Sequence, residues 1–248
     1  MKVNLFYRFC RFWVNKFNSD DNDNIHTNGE LNWLKNQIKS ANIIFDIGAN
    51  VGDWTKLCLT LNKKSFVYCF EPSNYTFELL KKNTIDFKNI IYNNIGLGSK
   101  NSIQTLHCVG KGFGTNSFYQ RKGIDIEQLI TEKITVETLD YYCKKNEISE
   151  IDILKIDVEG HEYEVLNGAK ELLENGVIKC IQFEYGGTYI DSRILLKDIF
   201  DLLIKNEYKL FKMYPNKLLY IEKYEQIYEN FKYSNWVAIH KSMNNIEK

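Results

Sequence analysis

The sequence predicts a doubly wound α/β fold, a mostly parallel sheet with helices on both faces, and three observations carry that reading. From Asn42 onward, short β-branched or aromatic runs alternate with amphipathic segments of helical period. The spacing between runs leaves room for helices of about 10–12 residues, which implies βαβ units and therefore parallel strands. The first run leads directly into a glycine turn, Asp46-Ile47-Gly48-Ala49-Asn50-Val51-Gly52, and then into a helix. No internal repeat is visible.

Strands are expected at 43–47, 66–70, 90–95, 151–156, 178–183, 208–213 and about 235–240, each a run of apolar residues of strand length. Helices are expected at about 53–61, 75–84, 162–173 and 194–205, the third stopped by Asn175-Gly176. Leu31, Trp33, Leu34 and Ile38 mark a short helix before the first strand. The Gly-, Ser- and Thr-rich stretch 96–123 reads as hairpins or loops, with order resuming at 134–136 and 139–145. The polar, tyrosine-rich stretch before the last strand reads as a connection.

Composition narrows the function. Of the 248 residues, 44% are hydrophobic, enough for one sizeable core. Lys plus Arg equals Asp plus Glu at 32 each, so the basic excess expected of a nucleic-acid binder is absent. The six cysteines, Cys10, Cys58, Cys69, Cys108, Cys143 and Cys180, have no metal-ligand spacing. They read as reduced, mostly buried thiols, which points to the cytoplasm. No apolar run reaches the roughly 18 residues of a membrane span.

Residues 1–40 read as a helical extension ahead of a main domain at 41–248. The first seventeen residues are basic and aromatic, with Arg8 and Arg11 interrupting the apolar run, so they do not read as a signal peptide. They are expected to form an amphipathic helix that packs on the domain or on a partner subunit, as in a homo-oligomer. Peripheral membrane contact is the alternative.

In sheets of this kind ligands bind beyond the carboxyl ends of the strands, near the point where strand order reverses. Gly48 and Gly52 permit a tight turn and close approach of a ligand, and Asn50 tolerates the left-handed conformation between them. The dinucleotide fingerprint G-x-G-x-x-G is absent, and Asp46 leads the glycines instead. An aspartate there repels a pyrophosphate and suits an ammonium, which favours S-adenosylmethionine over NAD. Twenty-five residues on, the second strand ends in Phe70-Glu71-Pro72, where a carboxylate can accept hydrogen bonds from a ribose diol. Gly96 and Leu97, within Asn94 to Gly98, are expected beside the adenine.

The fourth strand runs into Asp157-Val158-Glu159-Gly160-His161-Glu162. Asp157 falls at its carboxyl edge, where it is a candidate for both cofactor and acceptor, with Glu159 and His161 within a turn of it. Two mechanisms for activating an acceptor hydroxyl stay open. His161 is a general base oriented by a carboxylate, or Asp157, Glu159 and Glu184 bind a divalent ion. The metal-free base is preferred, because hard cations favour denser carboxylate clusters.

These segments resemble the FkbM family of methyltransferases. The likeness rests on Asp46 to Gly52 with Thr55, Phe70-Glu71-Pro72, Val136 to Asp140 and LKIDVEGHEYEVLNGA from Leu154 to Ala169, and covers about residues 43–184. It implies a Rossmann-like methyltransferase fold with a seven-stranded sheet, the last strand antiparallel. It also implies O-methylation, often of sugars in surface glycans or natural products. By that likeness Asp46, Gly48, Asn50, Gly52 and Glu71 contact S-adenosyl-L-methionine, and Asp157, Glu159 and His161 face a small-molecule or glycan-linked acceptor. The competing readings are an NAD-dependent oxidoreductase and a non-catalytic nucleotide-binding subunit. Nucleic-acid methylation is disfavoured by the zero net charge and the lack of an Asn-Pro-Pro-aromatic run.

Overall fold

A computed structural model describes residues 4–109, 116–120 and 129–243. Helix α1 (Leu5–Asn18) stands ahead of α2 (Glu30–Gln37), which continues into a 3-10 turn at Ile38–Ser40. The chain then alternates β1 (Ile43–Ile47), α3 (Asp53–Leu61), β2 (Phe66–Phe70), α4 (Asn74–Asn83) and β3 (Ile90–Asn93). A second run follows α5 (Leu139–Lys145): β7 (Ile151–Ile156), α6 (Glu162–Asn167), α7 (Lys170–Glu174), β8 (Ile178–Tyr185), α8 (Thr188–Ser192), α9 (Leu196–Lys205) and β9 (Tyr208–Tyr214). An edge strand β10 (Lys217–Ile221) and a final β11 (Ser234–His240) complete it.

The main sheet has eight strands in the order β10-β9-β11-β8-β7-β1-β2-β3. Strands β3, β2, β1, β7 and β8 pair in parallel, and β11 is inserted antiparallel between β8 and β9. Strand order reverses between β1 and β7, so the crevice for a ligand opens at their carboxyl ends. Alternation along the strands divides the core. Ile44, Val67, Ile153 and Cys180 face α2, α3 and α4, with Trp33, Leu34, Cys58, Leu59 and Leu80 packed on them. Phe45, Leu154 and Ile181 face Leu139, Val165, Leu173, Ile199 and Leu203 on the other side. Each such buried side chain is worth about 1.5–3 kcal/mol. Five of the six cysteines are buried in these layers, Cys10 is exposed, and none forms a disulfide.

Three expectations need correction. The sheet has eight strands rather than seven, because β10 folds back on β9 as a hairpin, Tyr214 pairing with Lys217. Most of β10 faces solvent on an edge, so its pattern lacks the apolar run that marks a buried strand. The stretch 96–123 contains two strands, β4 (Gly96–Leu97) and β5 (Ser102–Val109), that join β6 (Leu129–Glu137) in a separate three-stranded sheet ordered β4-β6-β5. Of that stretch, 110–115 and 121–123 lie outside the described residues, as do residues 1–3 of the N-terminal segment.

The third correction is the helix expected at 162–173, which is broken into α6 and α7 at Gly168. Asp140 breaks it. Its backbone N–H donates to the Gly168 carbonyl at 2.9 Å, and its carboxylate accepts from the N–H groups of Glu171 and Leu172 at 3.0 and 3.1 Å. The side chain of one helix thus caps the N-terminus of another, satisfying donors that a continuous helix would have bonded internally. Asp140→Ala is expected to lower stability by about 1–2 kcal/mol, as loss of an N-cap does, with Asp140→Asn milder. Urea denaturation followed by circular dichroism measures the difference, and an unchanged midpoint in Asp140→Ala would contradict the capping role.

Candidate active site

The turn after β1 is shaped by its neighbour. Gly48 has φ 81°, and a Cβ there would lie 1.9 Å from the Asp157 carbonyl oxygen, so only glycine fits. Asn50 takes the left-handed conformation at φ 47°. The N–H groups of Gly48 and Ala49 donate to the Phe70 carbonyl at 3.0 Å each, and the Asp157 N–H donates to Ile47 at 3.0 Å. The carboxyl ends of β1, β2 and β7 are therefore tied together where strand order reverses.

A cleft of about 650 Å³, its open mouth included, lies over these ends. Of the expected site residues, Gly48, Asn50, Glu71, Pro72, Gly96, Leu97, Asp157 and Glu159 line it. Asp46, Gly52, His161 and Glu184 are not among its lining. The walls are apolar, formed by Phe70, Ile95 and Leu97 on one part and by Leu106 and Phe118 on another. Glu71 is 5% exposed and accepts from the N–H groups of Asn50 at 3.1 Å and Ser73 at 3.0 Å. Burial pushes its carboxyl up to about 7 despite those bonds.

Asp46 is fully buried beneath the turn. Its Oδ2 accepts from the Thr55 hydroxyl at 2.6 Å, and its Oδ1 lies 4.0 Å from the Lys155 ammonium. Burial raises its carboxyl above the ordinary range, and Lys155 counters that. Gly52, at φ 90°, supports packing rather than the cleft, since a Cβ would lie 2.7 Å from Leu80 of α4 and from Thr84, which caps it.

Lys155 sits in the middle of the sheet, 7% exposed, with Asp46 and Gln182 as its register partners on either side. Its ammonium donates to Asp157 Oδ2 at 2.9 Å and stands over the Trp54 ring at 5.6 Å. Burial alone would lower its pKa, but Asp157, Asp46 and Glu30 hold it well above the ordinary lysine range. Glu30 comes from α2, is itself buried, and accepts from Gln182 Nε2 at 2.6 Å. Burial raises the Glu30 carboxyl while Lys155 opposes the rise.

The loop after β7 is held from inside. Glu159 and Gly160 take positive φ, 57° and 99°. Glu162, 1% exposed, turns back under them, its Oε1 accepting from the N–H groups of Val158 at 3.0 Å and Gly160 at 3.3 Å. Burial raises its carboxyl to about 8. His161 is also buried, stacked at 4.4 Å on Phe118, with Nδ1 3.0 Å from the Tyr119 hydroxyl. Burial pushes its pKa down to about 4, so the ring is neutral at pH 7. Phe118 stands between it and the cleft. Burial, then the charges of Asp157, Glu159 and Glu162, raise the partly buried Glu184 well above the carboxylate range. Among the described residues no three His, Cys, Asp or Glu side chains converge as a metal-binding group, the candidates Asp157, Glu159 and Glu184 included.

Lys155 and Glu30 escaped the reading of the sequence, although a lysine inside an apolar strand must find a carboxylate and so carried a signal. Leu106, Asn116 and Phe118 had none, since their stretch looked like loop.

A switch-point cleft on such a sheet, with an antiparallel strand inserted next to its last parallel one, defines the Rossmann-like methyltransferase class. The chain belongs to the FkbM methyltransferase family, whose domain profile, Methyltransferase FkbM domain, matches residues 46–210. It is 26% identical over 168 residues to the hexuronic acid methyltransferase AglP of Haloferax volcanii, covering 66% of this chain and 65% of that one. It is 27% identical over 175 residues to the 2-O-methyltransferase NoeI of Sinorhizobium fredii, covering 65% and 70%. The crystal structure of an FkbM methyltransferase from Methylobacillus flagellatus shares the fold, with a TM-score of 0.50 at 14% identity over 80% of this chain and 43% of that one. The alignments thus span about two thirds of each curated relative and under half of the crystallised one.

The Glu162 carboxyl has a folded pKa of about 8 against an ordinary 4.5, so the folded state holds its proton more tightly than the unfolded chain does. Stability from this group is therefore present at low pH and falls as pH rises between those two values. Glu162→Gln, which keeps a side-chain acceptor for the two N–H groups, is expected to flatten that fall in thermal melts between pH 5 and 8. An equal slope in both proteins would place the proton elsewhere.

Proposed function

We propose that this chain is an S-adenosylmethionine-dependent O-methyltransferase acting on a hydroxyl of a sugar or glycan precursor. The observation that carries the reading is the cleft itself. A buried carboxylate, Glu71, and flat apolar walls share it with two further carboxylates, Asp157 and Glu159. A nucleoside fits that combination. Glu71 uses one lone pair on each oxygen for the backbone and keeps others for a ribose diol. Phe70, Leu97, Leu106 and Phe118 offer surfaces for an adenine. Asn50 Oδ1 is buried without a hydrogen-bond partner, an acceptor that a ligand's ammonium or hydroxyl would satisfy. The names of the two relatives, a hexuronic acid methyltransferase and a 2-O-methyltransferase, support a sugar hydroxyl as the acceptor.

When bound, S-adenosylmethionine supplies an electrophilic methyl on a cationic sulfur, which an acceptor oxygen displaces in line while the bonding pair leaves with the sulfur. The work of the chain is to aim the acceptor and remove its proton. Glu159, on the cleft and on a tight turn, is the proton acceptor in this reading. Asp157, fixed by Lys155, orients the hydroxyl. His161 is neutral and clamped to Tyr119, and its role is to hold Phe118 against the cleft, a positioning role in place of the general base expected from the motif.

Calorimetry with S-adenosylhomocysteine and NAD tests the cofactor. The first should bind and the second should not, and the opposite result would sink the assignment. Because Glu71 must be ionised to accept from a diol, affinity for S-adenosylhomocysteine is expected to weaken as pH falls below about 7. Glu71→Ala should weaken it by about 1–3 kcal/mol.

For the chemistry, a panel of sugars and nucleotide sugars is screened by mass spectrometry for the gain of one methylene. With an acceptor in hand, Glu159→Gln should lower kcat by roughly 10²–10⁴ with cofactor affinity little changed. His161→Ala should lower the melting temperature and leave the pH profile of kcat in place. A profile that loses its acidic limb in His161→Ala would return the base to the imidazole.

A further inference from the structure

Helix α1 is attached by its polar edge. The Asn15 side-chain amide donates to Asp21 at 2.6 Å, and the Lys232 ammonium donates to Asn15 Oδ1. Ser19 closes the helix in the left-handed conformation, at φ 57°. The next residue, Asp20, is buried, pairs with Lys212 of β9 at 2.5 Å and accepts from Asn230 at 3.1 Å. The Asp21 N–H donates to the Tyr233 carbonyl at 2.9 Å. These bonds fix the last turn of α1 and leave its apolar side turned away from the body.

No residue of the helix is buried. Leu5, Phe6, Phe9, Phe12, Trp13 and Phe17 are between 51% and 83% exposed. At 3.6 residues per turn they fall on one face, with Lys16 among them, Arg8 at one border and Arg11 on the opposite side. An apolar surface of this extent marks an interaction site.

Charge selects the occupant. The helix carries Arg8, Arg11 and Lys16 and no acidic residue, in a chain whose net charge is zero. Two copies meeting through this face would bring like charges together with no helix carboxylate to neutralise them. A lipid surface with anionic headgroups answers both features. Aromatic rings enter the boundary between headgroups and acyl chains, and the cations meet phosphates. Fourteen residues span only about 21 Å, less than the roughly 30 Å of a hydrocarbon core. Among the described residues no helix is long and apolar enough to cross a membrane. We propose that α1 docks this protein, lying in the plane of the interface, on an anionic phospholipid surface.

Vesicle sedimentation of the full chain tests this. The lipids are phosphatidylcholine alone and phosphatidylcholine with phosphatidylglycerol. Trp13 reports directly, because the other three tryptophans, Trp33, Trp54 and Trp236, are buried. The expected result is co-sedimentation and a blue shift of tryptophan emission with the anionic vesicles, both reduced by salt. The double variant Phe9→Glu and Phe12→Glu should lower binding by at least about tenfold with melting temperature and S-adenosylhomocysteine affinity unchanged. Failure to sediment with anionic vesicles overturns the proposal, as does equal binding to neutral ones. A concentration-dependent dimer that the double variant dissociates, without lipid binding, would show instead that the face joins two copies.

Discussion

An ammonium group taken out of water has to be surrounded by compensating charge, and Lys155 is placed where three elements can supply it. Strand β1 brings Asp46 beside it, and the loop after β7 brings Asp157. Helix α2 brings Glu30, which Gln182 of β8 holds by a 2.6 Å hydrogen bond. Removing one partner from a buried pair of this kind typically costs about 3–5 kcal/mol, because a charge is left uncompensated. The group therefore constrains more than itself. It sets how α2 sits against the sheet, how the end of β1 lies against β7, and which way Asp157 points into the cleft.

The loops on the rim of the cleft are fixed by a related device. Glu71 and Glu162 both turn buried carboxylates toward backbone N–H groups of turns with positive φ, one at Asn50 and the other at Gly160. Each carboxylate satisfies donors that no regular element could reach. Each also carries the cost of its own burial, seen in raised pKa values of about 7 and about 8. Rigidity on the rim is thus bought with groups that titrate near neutral pH, and proton binding and the shape of the cleft are coupled.

Burial also divides the D-V-E-G-H segment in a way that its one-dimensional order conceals. Asp157 and Glu159 turn toward the cleft, while His161, two residues further, is folded behind Phe118 and bonded to Tyr119. Phe118 and Tyr119 belong to the short segment that pairs with β5 through Ser117 and His107. The small sheet therefore closes one side of the cleft and at the same time decides which of the titratable groups after β7 reach it.

The sequence by itself determined the alternating layers of the sheet, because strand and helix periodicities are local and each buried strand needed an unbroken apolar run. It also determined the turn after β1, since only glycine at 48 and a residue such as Asn50 can take the backbone conformations required there. Tertiary structure alone decided the rest. The break between α6 and α7 comes from Asp140, a side chain on another helix. The eighth strand exists because an edge position accepts a half-exposed sequence with no strong pattern. The fates of Asp46 and His161 were set by contacts with Thr55 and Tyr119, and that of Lys155 partly by the charge of Glu30, partners 9, 42 and 125 residues away along the chain. Period and spacing carry no information at such separations, because whether a polar group is exposed, paired or sealed behind a ring depends on which distant surfaces meet.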